Sequence, residues 1–369
     1  MRPERTAPGD DGVHPPWGTL RTAGVLLGLL AITLVLSMGL GSVRLPLQDD
    51  AAIFLYRLTG GMYPANACPV PFTVDGFTDP CSSLLILWNA RAAEVLLAIL
   101  VGSALAVAGG TMQGVFRNPL ADPYLLGISS GGGLGAMLNV VGHFGEAQSD
   151  IFLPLFAFLG AMSTALLVLA MARRRPGSRE TLLLTGVALA ALFGSILTMV
   201  LELSPLYDLQ ALTFWLLGSF GAASWTQVGL AAAATLAGGA LLALQGRDLN
   251  LLQIGDETAR GLGCDVDQVR RRLLLLASFI TAVAVAFSGI IAFVGLISPH
   301  VVRRLHGPDY RSLLPLAGLF GGLFMLVSDD VADTILGGGG LLPVGVVTAI
   351  VGAPFFLWVL FRTRRGTGP

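Results

Sequence analysis

Long apolar stretches recur from one end of the chain to the other, and polar links separate them. They fall near Ala23–Leu40, Ala92–Gly110, Tyr124–Val141, Phe152–Ala172, Thr181–Leu203, Trp225–Leu244, Leu273–Ser288, Ile290–Val302, Leu313–Asp333 and Pro343–Phe361. Crossing a bilayer as a helix takes about 20 apolar residues. The pattern therefore predicts an all-α, polytopic membrane protein of about ten transmembrane helices. Ile290–Val302 is short for a span, and its boundary at Ser288-Gly289 is open. A further apolar segment, Ala211–Phe220, is too short to cross and reads as re-entrant or interfacial. Only 12% of the residues are charged, against about 25% in soluble domains, so a water-exposed surface has too little to cover it.

Every one of the 22 basic residues is Arg, and there is no Lys. Under a ten-span layout with both termini inside, 19 Arg fall in cytoplasmic links; only Arg44, Arg57 and Arg91 fall outside. Arg concentrates on the cytoplasmic side of membrane proteins, so the bias supports both the count and the orientation. The absence of Lys has a second consequence. The G-x-x-x-x-G-K-[ST] phosphate loop needs its Lys to reach the phosphates, so this chain cannot carry that loop, and any ATP hydrolysis must sit on another polypeptide. A net charge of −1 suggests no nucleic-acid partner.

Residues 1–20 are polar and Pro-rich and read as a disordered cytoplasmic tail, with a single membrane domain over 21–365. The run Ala23–Leu40 is longer than a signal-peptide core and reads as a retained helix. The longest outside link, 41–83, holds Cys68 and Cys81 among Pro69, Pro71 and Pro80. An exported face permits a disulfide between them; two free thiols are the alternative. Cys264 reads as a cytoplasmic packing residue. His14, His143, His300 and His306 are dispersed, and no Cys/His cluster has metal-ligand spacing. Neither a metal site nor a cofactor is expected.

H-E-x-x-H and G-x-S-x-G are both missing, and no nucleophile pattern replaces them, so no enzymatic role is read here. Ion-coupled carriers place ionisable groups at mid-membrane. Here Arg91, Glu94, Glu202, Asp329, Asp330 and Asp333 gather at helix ends, which points to an outside energy source. The link 245–272 is the longest cytoplasmic one. Asp256 and Glu257 precede Arg260 at helical spacing, and Gly261 and Gly263 suit a helix stop. Two readings stand: a rigid polar knob made of two short helices, or a solvated amphipathic loop. Gly127, Gly131 and Gly135 share one helical face, as do Gly318 and Gly322, suiting a close helix seam with or without a conduit beside it.

Several segments resemble the permease subunits of ABC importers for iron–siderophores, haem and vitamin B12. The resemblance runs from about Arg91 to Phe361. It is carried by Q-G-V-F-R-N-P-L-A-D-P-Y-L-L-G-I-S-S-G at 113–131, G-I-I-A-F-V-G-L-I-S-P-H at 289–300, L-P-V-G-V-V-T-A-I-V-G-A-P-F-F at 342–356, and G-D-E-T-A-R-G-L-G at 255–263. It implies a vitamin B12 importer-like bundle, N-in and C-in, in the cytoplasmic membrane. Its implied partners are a second permease subunit, identical or related, two ATP-binding subunits beneath, and an extracytoplasmic binding protein above. Ferric siderophore is the commonest cargo of such permeases and is the expected one here, with haem and cobalamin as alternatives. Asp256, Glu257, Arg260, Gly261, Leu262 and Gly263 would meet the ATPase. Asn118, Pro119, Gly127, Ser129, Ser130 and Gly131 would border the inner gate and path, with Ala211–Phe220 and the helix after Pro343 beside the conduit.

The outer face departs from that pattern. The family's R-x-P-R at the start of the second helix reads Arg91-Ala-Ala-Glu94 here; Asp333 stands where an Arg is usual, and Leu341 where a Glu is usual. Arg91, Glu94 and Asp333 are the expected contacts of the binding protein. Acidic groups there suggest a partner with altered, more basic docking charges, since like charges lower association.

Overall fold

A computed structural model describes residues 16–39, 86–144, 149–172, 179–204, 206–335 and 342–363. Cys68, Cys81, Leu341, residues 1–15 and the 41–83 link lie outside the described residues. Within them the chain forms thirteen α-helices and no strand. They are α1 (Pro16–Gly39), α2 (Ala92–Phe116), α3 (Ile128–Gly142), α4 (Ser149–Ala172), α5 (Arg179–Leu203), α6 (Leu206–Leu217) and α7 (Trp225–Leu244), then α8 (Gly246–Gln253), α9 (Asp256–Gly261), α10 (Val266–Ser288), α11 (Val294–His306), α12 (Tyr310–Ile335) and α13 (Val344–Thr363).

Eight helices are long and apolar enough to cross a membrane: α1, α2, α4, α5, α7, α10, α12 and α13. The other two expected spans are the short helices α3 and α11, of 15 and 13 residues. At 1.5 Å per residue they reach about 23 and 20 Å, less than the roughly 30 Å of a hydrocarbon core. Backbone breaks set those lengths. The expected span Tyr124–Val141 is interrupted: Pro123–Leu126 forms a 3-10 turn, and Gly127, at φ +72°, redirects the chain before α3 begins. The Ile290–Val302 segment starts with non-helical backbone. Gly289 at φ +72° and Phe293 at φ +70° delay the helix to Val294. The interfacial segment expected at Ala211–Phe220 is α6, which begins earlier and stops at Gly218, φ +75°. At the N-terminal side α1 starts at Pro16, before the boundary drawn at 21, and the Thr19 hydroxyl lies 2.9 Å from His306 Nε2 on α11.

Helix α2 is the centre. It packs against α12, α10, α11 and α7, while α3 lies against α4 and α5, and α1 against α12. In lipid, such contacts depend on close approach rather than on hydrophobic collapse. At Gly109 of α2 a Cβ would run into the backbone of Gly295 on α11. At Gly131 of α3 it would run into Thr164 and the Gly160 carbonyl of α4. Polar caps close the cytoplasmic side: Asp265 accepts from the Gln268 amide at 3.1 Å to start α10, as an N-cap side chain does.

Candidate functional site: the two ends of helix α2

The arginine bias names the ends of α2: Arg91 lies at the outer end, Arg117 at the inner. With 25 residues between them, the two ends are about 37 Å apart along the axis.

At the inner end, α8 and α9 fold into a knob joined by Gly255, φ +119°. Arg117 takes the left-handed conformation, φ +50°, as it leaves α2. Its guanidinium donates to the Leu252 carbonyl and to the Asp256 carboxylate. Arg270 of α10 donates to the other Asp256 oxygen at 2.7 Å. Gln253 Nε2 donates to the Gly114 carbonyl at 2.8 Å, and Asn250 Nδ2 to Asp309 at 2.7 Å. Arg311 beside Asp309 holds its carboxyl down at about 2. The knob is thus clipped to α2, α10 and the start of α12 by side chains from each. Of the two readings of this link, the pair of short anchored helices is what the chain adopts.

The expected coupling residues divide into two sets. Asp256 turns inward, into the paired arginines. Glu257, Arg260, Gly261, Leu262 and Gly263 are exposed, and Arg260 bonds Asp267 at 3.0 Å. Ile254, 54% exposed, and Leu262, 64% exposed, are large apolar side chains on this polar knob. Cys264 is a free thiol beside it; burial pushes it up, and Asp248 and Asp265 add to that, so the thiolate that would react is disfavoured.

Between the ends, the quoted motifs meet. Gln113 Nε2 donates to the Leu296 carbonyl at 3.3 Å, and Arg303 Nη1 donates to Gln113 Oε1 at 3.0 Å. Asn118 Oδ1 accepts from the Leu120 amide at 3.0 Å, shaping the turn at Pro119. Asp122 accepts from the Tyr124 amide at 2.9 Å; burial pushes its carboxyl up to about 6, against that amide, which favours the anion. The Tyr124 hydroxyl donates to the Ile291 carbonyl at 3.0 Å and accepts from the Ile291 amide at 3.3 Å. At Gly345 a Cβ would run into the Leu217 carbonyl, with the Ile290 carbonyl next nearest, so α6, α13 and the 289–293 stretch converge.

The expected path residues also divide. Asn118 and Pro119 are exposed, Ser129 and Ser130 partly so. Gly127 and Gly131 are buried, and a Cβ at either would meet Thr164 of α4. They belong to a helix seam rather than to an open surface.

At the outer end Arg91, Glu94 and Asp333 come together. Arg91 Nη1 donates to Asp333 Oδ2 at 2.6 Å and to Glu94 Oε2 at 3.2 Å. All three side chains are at most 14% exposed. Asp329 lies beside them, 5% exposed, and Ser37 of α1 donates to Asp330 at 2.5 Å. Trp88 and Trp225 flank this end with ring centroids 5.1 Å apart. Sequence reasoning selected Arg91, Glu94 and Asp333 one by one; it missed Arg117, Arg270, Gln113 and Tyr124 as organising residues. The 113–131 motif contained three of those four.

Comparison with known proteins agrees with this architecture. The hemin transport system permease protein HmuU of Yersinia pestis is 40% identical over 319 residues, covering 85% of this chain and 94% of that protein. The cobalamin import system permease protein BtuC of Halobacterium salinarum is 39% identical over 299 residues, 80% of this chain and 77% of that one. A solved structure, described as a metal-chelate type ABC transporter in an inward-facing conformation, superposes with a TM-score of 0.76 at 29% identity, covering 93% of this chain and 99% of that one. The profile of the FecCD transport family matches residues 29–362, and the chain belongs to that family.

Proposed function

We propose that this chain is the membrane-spanning permease subunit of an ABC importer, working with two separate ATPase subunits, a second permease subunit and an extracytoplasmic binding protein in the cytoplasmic membrane. The carrying observation is the α8–α9 knob. It is anchored through Arg117 to the central helix α2 and exposes Ile254, Glu257, Arg260 and Leu262 on its free surface. A soluble subunit gripping those side chains would move α2 through the Asp256–Arg117 contact. The lack of any Lys supports placing ATP hydrolysis on that other subunit.

Ferric siderophore is the cargo we infer first, because a path bordered by small and apolar residues suits a bulky chelate handed over by a carrier protein. Haem is the second reading, favoured by the 40% identity to the haemin permease. The outer residues Arg91, Glu94 and Asp333 would border the binding-protein surface. The test reconstitutes the chain with its ATPase and measures ATP-dependent uptake of iron-55 siderophore, haemin and cobalamin. Uptake of a chelate that is lost with Ile254→Asp and Leu262→Asp supports the reading. Uptake driven by a proton gradient without ATP overturns it.

A further inference from the structure

We infer that the outer ends of α2 and α12 form a binding site for a hard divalent cation, with calcium as its best match, ligated by Glu94, Asp329 and Asp333. Each of the three offers one carboxylate oxygen, and these oxygens lie within 4.8 Å of one another. Oxygen ligands stand about 2.3–2.6 Å from calcium, so ligands around one ion are separated by up to about 5 Å. The three carboxylates therefore already have the spacing of a single coordination shell.

Asp329 supplies the second observation. It is 95% buried by the same measure that gives it 5% exposure, and among the described residues no donor reaches it. Arg91 gives its hydrogen bonds to Glu94 and Asp333 instead. A buried carboxylate with neither a donor nor a counter-ion is costly. Its oxygen points into the gap that the other two carboxylates border.

The charges agree with the geometry. Three carboxylates against the one guanidinium of Arg91 leave two negative charges, which one divalent cation balances. Asp330, held by Ser37, adds negative potential nearby. Asp329 and Asp333 are four residues apart and share one face of α12, and Glu94 faces them from the first turn of α2. The donor set is oxygen only, which suits calcium or magnesium over zinc or copper. Such an ion would hold α2 to α12 at the rim, independently of which chelate the protein carries.

The test uses the full-length chain in detergent at neutral pH. Calcium-45 equilibrium dialysis after chelator treatment is expected to show one saturable site per chain, with the melting temperature rising as calcium is added. Sodium chloride at matched ionic strength is expected to have no such effect. Asp329→Asn and Glu94→Gln are expected to lose both the binding and the shift. No saturable binding to the wild type overturns the inference, whether or not the variants fold. So does equal binding by wild type and Asp329→Asn. A wild type indifferent to calcium, but stabilised by acid and by Asp329→Asn, would show that the carboxylates share protons and would overturn it as well.

Discussion

The two ends of helix α2 solve opposite electrostatic problems. At the inner end two guanidiniums, Arg117 and Arg270, share the single carboxylate of Asp256. At the outer end three carboxylates, Glu94, Asp329 and Asp333, surround the single guanidinium of Arg91. The inner cluster is half open to water, with Asp256 27% exposed, so its surplus positive charge is solvated and lies where membrane proteins favour Arg. The outer cluster is buried, so its surplus negative charge must be matched locally. One end is a joint that a partner can pull; the other is a clasp that needs something to close it.

Four measurements test that contrast, and the first carries the largest effect. Arg91→Ala removes the only cation from a buried acidic cluster, and thermal melting in detergent is expected to show a loss of about 3–5 kcal/mol. The same truncation at the inner end, Arg270→Ala, is expected to cost about 1.5–3 kcal/mol, because Arg117 still reaches Asp256 and water reaches both. If the inner change proved the more damaging, the contrast would fail. Leu262→Ala is expected to alter stability by less than about 0.5 kcal/mol, yet to reduce copurification with the ATPase. Unchanged copurification would move the grip elsewhere.

The smallest effect is a pH slope at the turn between them. Asp122 has a folded value of about 6, raised above the roughly 3.9 of an unfolded Asp. Its contribution to stability is therefore complete below about pH 4 and is lost as pH rises through 6. Asp122→Asn keeps a side-chain acceptor for the Tyr124 amide and is expected to flatten melting temperature across that window. A slope unchanged by the substitution would assign it to another group.

Hydropathy made the spans readable but not their surroundings. Helices α2 and α5 have the same mean hydropathy, 2.2, yet the most apolar window of α2 is 78% buried within the protein and that of α5 only 11%. Lipid and protein interior are equally apolar, so this scale does not separate them; the glycines that permit backbone contact do. Arg91 and Asp333 are 242 positions apart, and Arg117 and Asp256 139. No local spacing pairs such residues, which is why Asp256 read as an outward grip and Asp329 as an interfacial charge. The breaks at Gly127 and Phe293 were hidden for a different reason. Both sit inside continuous apolar runs, where periodicity is silent about a change of backbone direction.

The contact between Gly109 and Gly295 limits how the machine can work. With main chain laid on main chain, α2 and α11 have no side-chain layer through which to slide, so they travel as one girder. The same holds for α3 and α4 at Gly131 and Gly160. Whatever bending opens a passage must then be absorbed by the short stretch from Arg117 to Gly127, the flexure between two stiff beams.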